Sequence, residues 1–218
     1  VTSMDYGKSV FVNCPFDEDY KFLLKGLLFC ILYMGFEPRI ALERLDSSES
    51  RVKKIIELIQ SCRFGIHDLS RLKSQKKGEY FRLNMPFELG LDIGCKEFGD
   101  DKFKTKICLI LEKERFRYQA ALSDLSGSDI RVHQDNPAFI VREARNWLAE
   151  VGHISRPPSG SAIWNAYNDF CAWQYDELTP QGYSKDDIST LPIGEVLDHM
   201  RQWVMLMAPA FRSITVRS

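Results

Sequence analysis

The chain has 218 residues, of which 44% are apolar, and its 29 basic and 30 acidic side chains leave a net charge of −1. That length fits one large domain, or one domain with a helical appendage, and the apolar fraction suffices for a sizeable core. Balanced charge argues against a general nucleic-acid or polyanion binder, and no apolar run approaches the ~18–20 residues needed to span a bilayer.

Val1-Thr-Ser, ahead of Met4, reads as a cloning scar and is set aside; the start does not resemble a signal peptide. Ser9-Val-Phe-Val-Asn-Cys14 is a short apolar run ending at Pro15, and predicts a buried strand. Residues 20–34 carry Phe22, Leu23, Leu27, Leu28, Ile31 and Leu32 at helical spacing, with Gly35 as the C-cap. Residues 36–42 predict a second strand, placed at a sheet edge by Pro38. Asp46-Ser-Ser-Glu-Ser resembles a helix N-terminus, and Val52, Ile55, Ile56 and Ile59 form the apolar stripe behind it. Arg63-Phe-Gly-Ile-His-Asp68 predicts the third strand, and a polar, lysine-rich insert at 72–80 separates it from a helix over 84–98. Residues 106–111 predict the fourth strand, 118–125 a short helix, 129–133 a fifth strand and 137–150 an amphipathic helix.

Strands alternating with helices at these lengths imply right-handed crossovers and a parallel sheet. Five such units match a flavodoxin-like, three-layer α/β fold with strand order 2-1-3-4-5. The expected organisation is an α/β domain over 4–150, a linker over 151–160 rich in Pro, Ser and Gly, and a helical appendage over 161–218. In that appendage Trp164, Tyr167, Phe170 and Trp173 recur at helical spacing, and should pack on the main domain or on a twin subunit. Cys14, Cys30, Cys62, Cys95, Cys108 and Cys171 are scattered with no CxxC pair, which predicts reduced thiols in a cytoplasmic protein. His67, His133, His153 and His199 do not cluster with them in sequence, so no metal site is expected.

In open parallel sheets ligands gather at the strand C-terminal ends where strand order reverses. Here that point lies between the first and third strands. Three segments should therefore share a crevice: Asn13-Cys-Pro-Phe-Asp17, His67-Asp-Leu-Ser-Arg71, and Asn84-Met-Pro-Phe-Glu88 at the next helix's start. Asn84 is the expected N-cap and Pro86 suits the first turn. Glu88 follows one turn in, where the helix dipole favours its ionised form. Gly90 and Gly94 lie on one side of that helix and would let a backbone or ligand approach. His67 and Asp68 point to opposite sheet faces, and His67 is the one expected to pack against a helix. Cys14 reads more as a small buried apolar residue than as a nucleophile. Residues 46–51 would either cap their helix or bind ribose or phosphate, while Arg117, Tyr118, Gln119 and Asp124 would close the crevice, with Tyr118 stacking on a base.

Three motifs occur in order: Val12-Asn-Cys-Pro-Phe-Asp17, Cys62-Arg-Phe-Gly-Ile-His-Asp-Leu-Ser70, and Asn84-Met-Pro-Phe-Glu-Leu-Gly-Leu-Asp-Ile-Gly94. Over residues 9–150 they resemble the nucleoside 2-deoxyribosyltransferase-like and bacterial TIR-like superfamily. The resemblance implies cleavage of an N-glycosidic bond in NAD, a nucleotide or a nucleoside. Glu88 matches the catalytic glutamate, and a carboxylate there would stabilise or trap an oxocarbenium-like ribose. It further implies that Asp68 holds a sugar hydroxyl or the base, that Ser70, Arg71 and the backbone N–H groups of the substrate-binding first loop (Asn13, Cys14, Pro15, Phe16, Asp17) reach its phosphate, and that His67 or Asp17 protonates a leaving base. NAD or a nucleotide would be the substrate and no cofactor is implied. Self-assembly into a homo-oligomer and a role as an antiphage-defence effector are also implied. Asn84-Met85 stand where transferases often carry Gly-Thr, and the insert at 72–80 is long for the family. The alternatives are a non-catalytic nucleotide-sensing or self-assembly domain, and a nucleoside deoxyribosyltransferase.

Overall fold

A computed structural model describes residues 5–43, 46, 48–71, 83–115, 122–125 and 129–207. Five parallel strands run β1 Ser9–Asn13, β2 Glu37–Arg39, β3 Phe64–Asp68, β4 Ile107–Glu112 and β5 Ile130–Val132, in the order β2-β1-β3-β4-β5. Strand order thus reverses between β1 and β3, as the sequence predicts. The register pairs Asn13 with His67 and Asp68 with Leu111. Pro38 lies in the edge strand β2, where its missing N–H costs no ladder bond.

The strands are connected by α1 Glu18–Tyr33, α2 Arg51–Ser61 and α3 Asn84–Phe98, and α4 Pro137–Val151 follows β5. Side-chain alternation sorts them onto two faces. Val10, Val12, Phe64, Ile66, Leu109 and Leu111 join α1 and α4 in the larger core. Phe11 points the other way, into a cluster with Ile55, Leu58 and Ile59 of α2, and Ile110 meets Leu89 of α3. Gly35, at φ +83, turns the chain out of α1, with the Gly35 and Phe36 N–H groups closing back on Leu32 and Ile31.

Helix α1 is buried nearly all round, from Tyr20 to Leu32, so something must cover the side away from the sheet. The C-terminal helices do this: α5 Gly160–Leu178, the short α6 Lys185–Thr190, and α7 Ile193–Met207. Phe29 of α1 is fully buried among Tyr167, Phe170 and Trp203, with ring centroids 5.5–5.6 Å away. Arg201 of α7 pairs with Glu37 of β2 at 2.6 Å, and Arg145 ties the Pro157 and Pro158 carbonyls to α4. The aromatic stripe therefore packs on the main domain and shares its core. The predicted helix at 118–125 lies mostly outside the described residues, of which Ser123–Leu125 form a 3-10 turn. No described helix is long and apolar enough to cross a membrane.

Candidate functional site at the strand C-terminal ends

The C-terminal ends of β1 and β3, the loop into α1 and the first turns of α2 and α3 bring the predicted segments together. Two buried polar networks, one on each face of the sheet, build the floor.

On the α1 side lies Asp68, fully buried at the end of β3. Its Oδ2 accepts the Tyr20 hydroxyl at 2.6 Å and lies 3.0 Å from His133 Nε2, while Oδ1 accepts the Ser70 N–H at 2.8 Å. Burial would raise Asp68, yet the hydrogen bonds from His133, Ser70 and Tyr20 outweigh it and hold the carboxyl below its ordinary value. Ser70, His133 and Asp68 are the residue types of a nucleophilic triad, but the geometry is wrong for one. Ser70 Oγ (2.8 Å) and Asp68 both meet Nε2, and Nδ1 accepts the Asp135 N–H at 3.1 Å. An activated serine needs its carboxylate on the opposite ring nitrogen. Asp68 and Ser70 thus lock α1, the β3 loop and the end of β5 to one another.

On the α3 side His67 is fully buried, as its expected packing role requires. Nδ1 accepts from Asn13 Nδ2 at 3.0 Å, which puts the ring proton on Nε2, 2.9 Å from Asp92 Oδ2. Asp92 also pairs with Lys106 at 3.0 Å and accepts from Cys108 Sγ at 3.2 Å. His67 and Lys106 more than offset burial and pull Asp92 down to about 2. Against the sequence expectation, His67 does come together with a cysteine: ligand atoms of His67, Asp92 and Cys108 lie within 4.8 Å of one another. The Lys106 ammonium already supplies the cation there, also donating to the Ile59 and Cys62 carbonyls. Gly65 makes room for this cluster, because a Cβ on it would stand 2.3 Å from Asp92 Oδ2. Asn13 Nδ2 donates as well to the Met85 carbonyl at 2.9 Å, fastening the first turn of α3 to β1 and leaving buried Oδ1 without a hydrogen bond.

Glu88, one turn into α3, is only 4% exposed. Among the described residues its carboxylate meets Arg51 Nη2, at 3.8 Å from Oε1, and makes no hydrogen bond. Burial pushes it up to about 7, with Arg51 offsetting part of the effect. The dipole of α3 favours the ionised form, as expected, but by no more than about 2 kcal/mol even in partly buried geometry, less than desolvation costs here. One expectation for α3 fails. Leu83 already has helical φ and ψ (−72°, −6°) and holds the cap position, so exposed Asn84 is the first helical residue and caps nothing. Gly90 faces open space: among the described residues a Cβ there would meet nothing within 4 Å beyond its own helix, which leaves that side open to a ligand.

The remaining predicted residues divide clearly. Cys14 is fully buried, and burial together with the carboxylates of Asp68, Glu88 and Asp17 pushes its thiol well above the usual range, which removes it as a nucleophile. Pro15 is buried, Phe16 packs half-buried on the main core, and Met85 is buried against Leu69 and Leu89. Asp17 caps α1 by accepting the Tyr20 N–H at 3.0 Å and lies 3.8 Å from Arg71. Tyr118, Arg117, Gln119 and the insert at 72–80 lie outside the described residues. Sequence reasoning missed Tyr20, Asp92 and His133 as parts of the floor. Asp92 had a signal, since it follows Glu88 by four residues and shares its helix face. So did His133, at the C-terminal end of the last strand.

Comparison of the chain with protein families, with curated proteins and with solved structures finds no match.

Proposed function

We propose that this crevice binds NAD or a related nucleotide and that Glu88 promotes cleavage of its N-glycosidic bond, the activity of a TIR-like N-glycosidase and chemistry suited to an antiphage effector. One observation carries the reading: a buried carboxyl without a hydrogen bond, held near neutral pKa, at the point where strand order reverses. The three-motif resemblance is its second support.

In this reading the C1′–N bond breaks with its electron pair leaving on the base. Positive charge then spreads over C1′ and the ring oxygen of the ribose. Ionised Glu88 stabilises that charge or bonds to C1′, and water then adds through its oxygen, breaking the C1′–Glu88 bond where one has formed and releasing one proton to solvent, to finish the hydrolysis. Burial strengthens the attraction, because little solvent screens it. Nicotinamide departs as a neutral ring, so NAD needs no proton donor. A purine leaving group needs a proton, and neither expected donor is free to give one: His67 is committed to Asn13 and Asp92, and Asp17 caps α1 and faces Arg71. Asp68 acts as a positioning residue, its oxygens already engaged by protein donors.

The test is to incubate concentrated protein with NAD, nucleotides and nucleosides, then separate the products. Free nicotinamide or base supports the reading. Base exchange between two nucleosides would select a transferase. Tight binding with no product would select the nucleotide-sensing alternative.

A further inference from the structure

The resemblance gives the phosphate of such a ligand to Ser70, Arg71 and the first loop, but Ser70 Oγ meets His133 and Arg71 faces Asp17, and Arg51 is the side chain better built for it. It is the first residue of α2, its side chain is 52% exposed, and its guanidinium reaches 3.8 Å from Glu88. That separation is too long for a hydrogen bond. A guanidinium offers five N–H donors, and Arg51 directs none of them to a hydrogen bond among the described residues. It is therefore a cation near a buried carboxyl that it does not fully satisfy.

Its surroundings favour an anion. The N-cap Ser50 makes no side-chain cap hydrogen bond and no acidic residue occupies the first turn of this 11-residue helix, so no side chain within that turn offsets its positive end. In α1, by contrast, Asp17 fills the corresponding place. The second independent sign of a ligand is Glu88, nine-tenths buried, without a hydrogen bond, at the same spot. Asn13 Oδ1 adds a buried acceptor lacking a donor at the crevice floor. Acceptors without donors suit sugar hydroxyls, and donors without acceptors suit a phosphate. Arg71, a second cation among the described residues there, is only 16% exposed in its side chain and faces Asp17.

We propose that Arg51 is the phosphate anchor of the crevice, a guanidinium that stays beside Glu88 and turns its free N–H donors to the phosphate of a bound nucleotide, so that the site selects 5′-phosphorylated nucleosides over free ones. This rests on reading the crevice as a nucleotide site, and it deepens that reading by naming the residue that sets substrate class. Bidentate guanidinium–phosphate contact is specific to the planar fork of arginine, so lysine would replace it only in part.

The test measures dissociation constants of adenosine 5′-monophosphate and adenosine by calorimetry, or KM values where turnover occurs. The proteins are wild type, Arg51→Gln, Arg51→Lys and Arg71→Gln. Wild type should prefer the phosphorylated probe by about tenfold to a hundredfold. Arg51→Gln should bring the ratio close to one while leaving adenosine binding within about twofold, and Arg51→Lys should fall between. Equal binding of the two probes by wild type would overturn the proposal. So would selectivity that survives Arg51→Gln, or that disappears in Arg71→Gln instead. Phosphate selectivity with no base release would leave the anchor standing and sink only the cleavage reading.

Discussion

Replacing Gly65 by alanine isolates the geometry that carries α3, and hence Glu88, onto the sheet. The added methyl would lie 2.3 Å from Asp92 Oδ2, 2.9 Å from His67 Nε2 and 3.3 Å from Cys108 Sγ. Asp92 cannot stay, because it is fully buried and is the shared partner of His67 and Lys106. Expelling one member of a buried charge network costs about 3–5 kcal/mol, against roughly 0.5–1 kcal/mol gained by removing a glycine from a strand. Gly65→Ala should therefore lose about 3 kcal/mol or more in urea unfolding. The cause can be separated by a cycle. In an Asp92→Ala background the methyl meets no carboxylate, and only His67 Nε2 at 2.9 Å and Cys108 Sγ at 3.3 Å still have to give, so Gly65→Ala should cost clearly less than it does in wild type. A single-mutant loss below about 1 kcal/mol, or an equal loss in both backgrounds, would refute the reasoning.

Other consequences are equally specific. Glu88 has a folded pKa of about 7, raised above the ordinary carboxylate value of 4.5. The native state then binds more protons than the unfolded chain between these values, so this group makes stability fall as pH rises through about 7. Discounted for solvent screening by its exposed partner, the effect is on the order of 2 kcal/mol, and Glu88→Gln should abolish it; unfolding at pH 5.5 and 8 in both proteins checks this. Asp92 is the opposite case. Its depressed value of about 2 gives stability that is present above the unfolded pKa near 3.8 and lost as pH falls toward 2, and Asp92→Asn should be less stable than wild type at pH 7 by about 3 kcal/mol in urea unfolding. Trp203→Ala empties the far wall of the Phe29 cluster, whose ring lies 5.5 Å away, and should cost about 3–5 kcal/mol while unfolding stays one cooperative transition. Separate melting of the α/β part and the C-terminal helices would contradict the shared core.

Much of this was legible in the sequence because period and punctuation agree. Strand runs such as Val10–Val12 and Leu109–Leu111, the edge Pro38 and the Gly35 stop all report local rules that tertiary packing did not override. The meeting of the three predicted segments followed from strand order alone. What escaped was long-range. The pairing of Asp68 with Tyr20 and His133 joins residues 48 and 65 positions apart, and no periodicity signals that. The dipole argument for Glu88 considered only its own helix, whereas burial by neighbouring elements sets its pKa. The docking of α5 and α7 did leave a trace, since α1 from Leu23 to Leu32 lacks the polar face that a solvent-exposed side would need.

Whether Glu88 is catalytic is decided by the rate of base release from NAD and adenosine 5′-monophosphate, compared between concentrated wild-type protein and Glu88→Gln. Release by wild type should increase through pH 7 as Glu88 ionises, and Glu88→Gln should lose about a thousandfold with ligand binding retained. Release that survives Glu88→Gln at an undiminished rate would contradict the assignment.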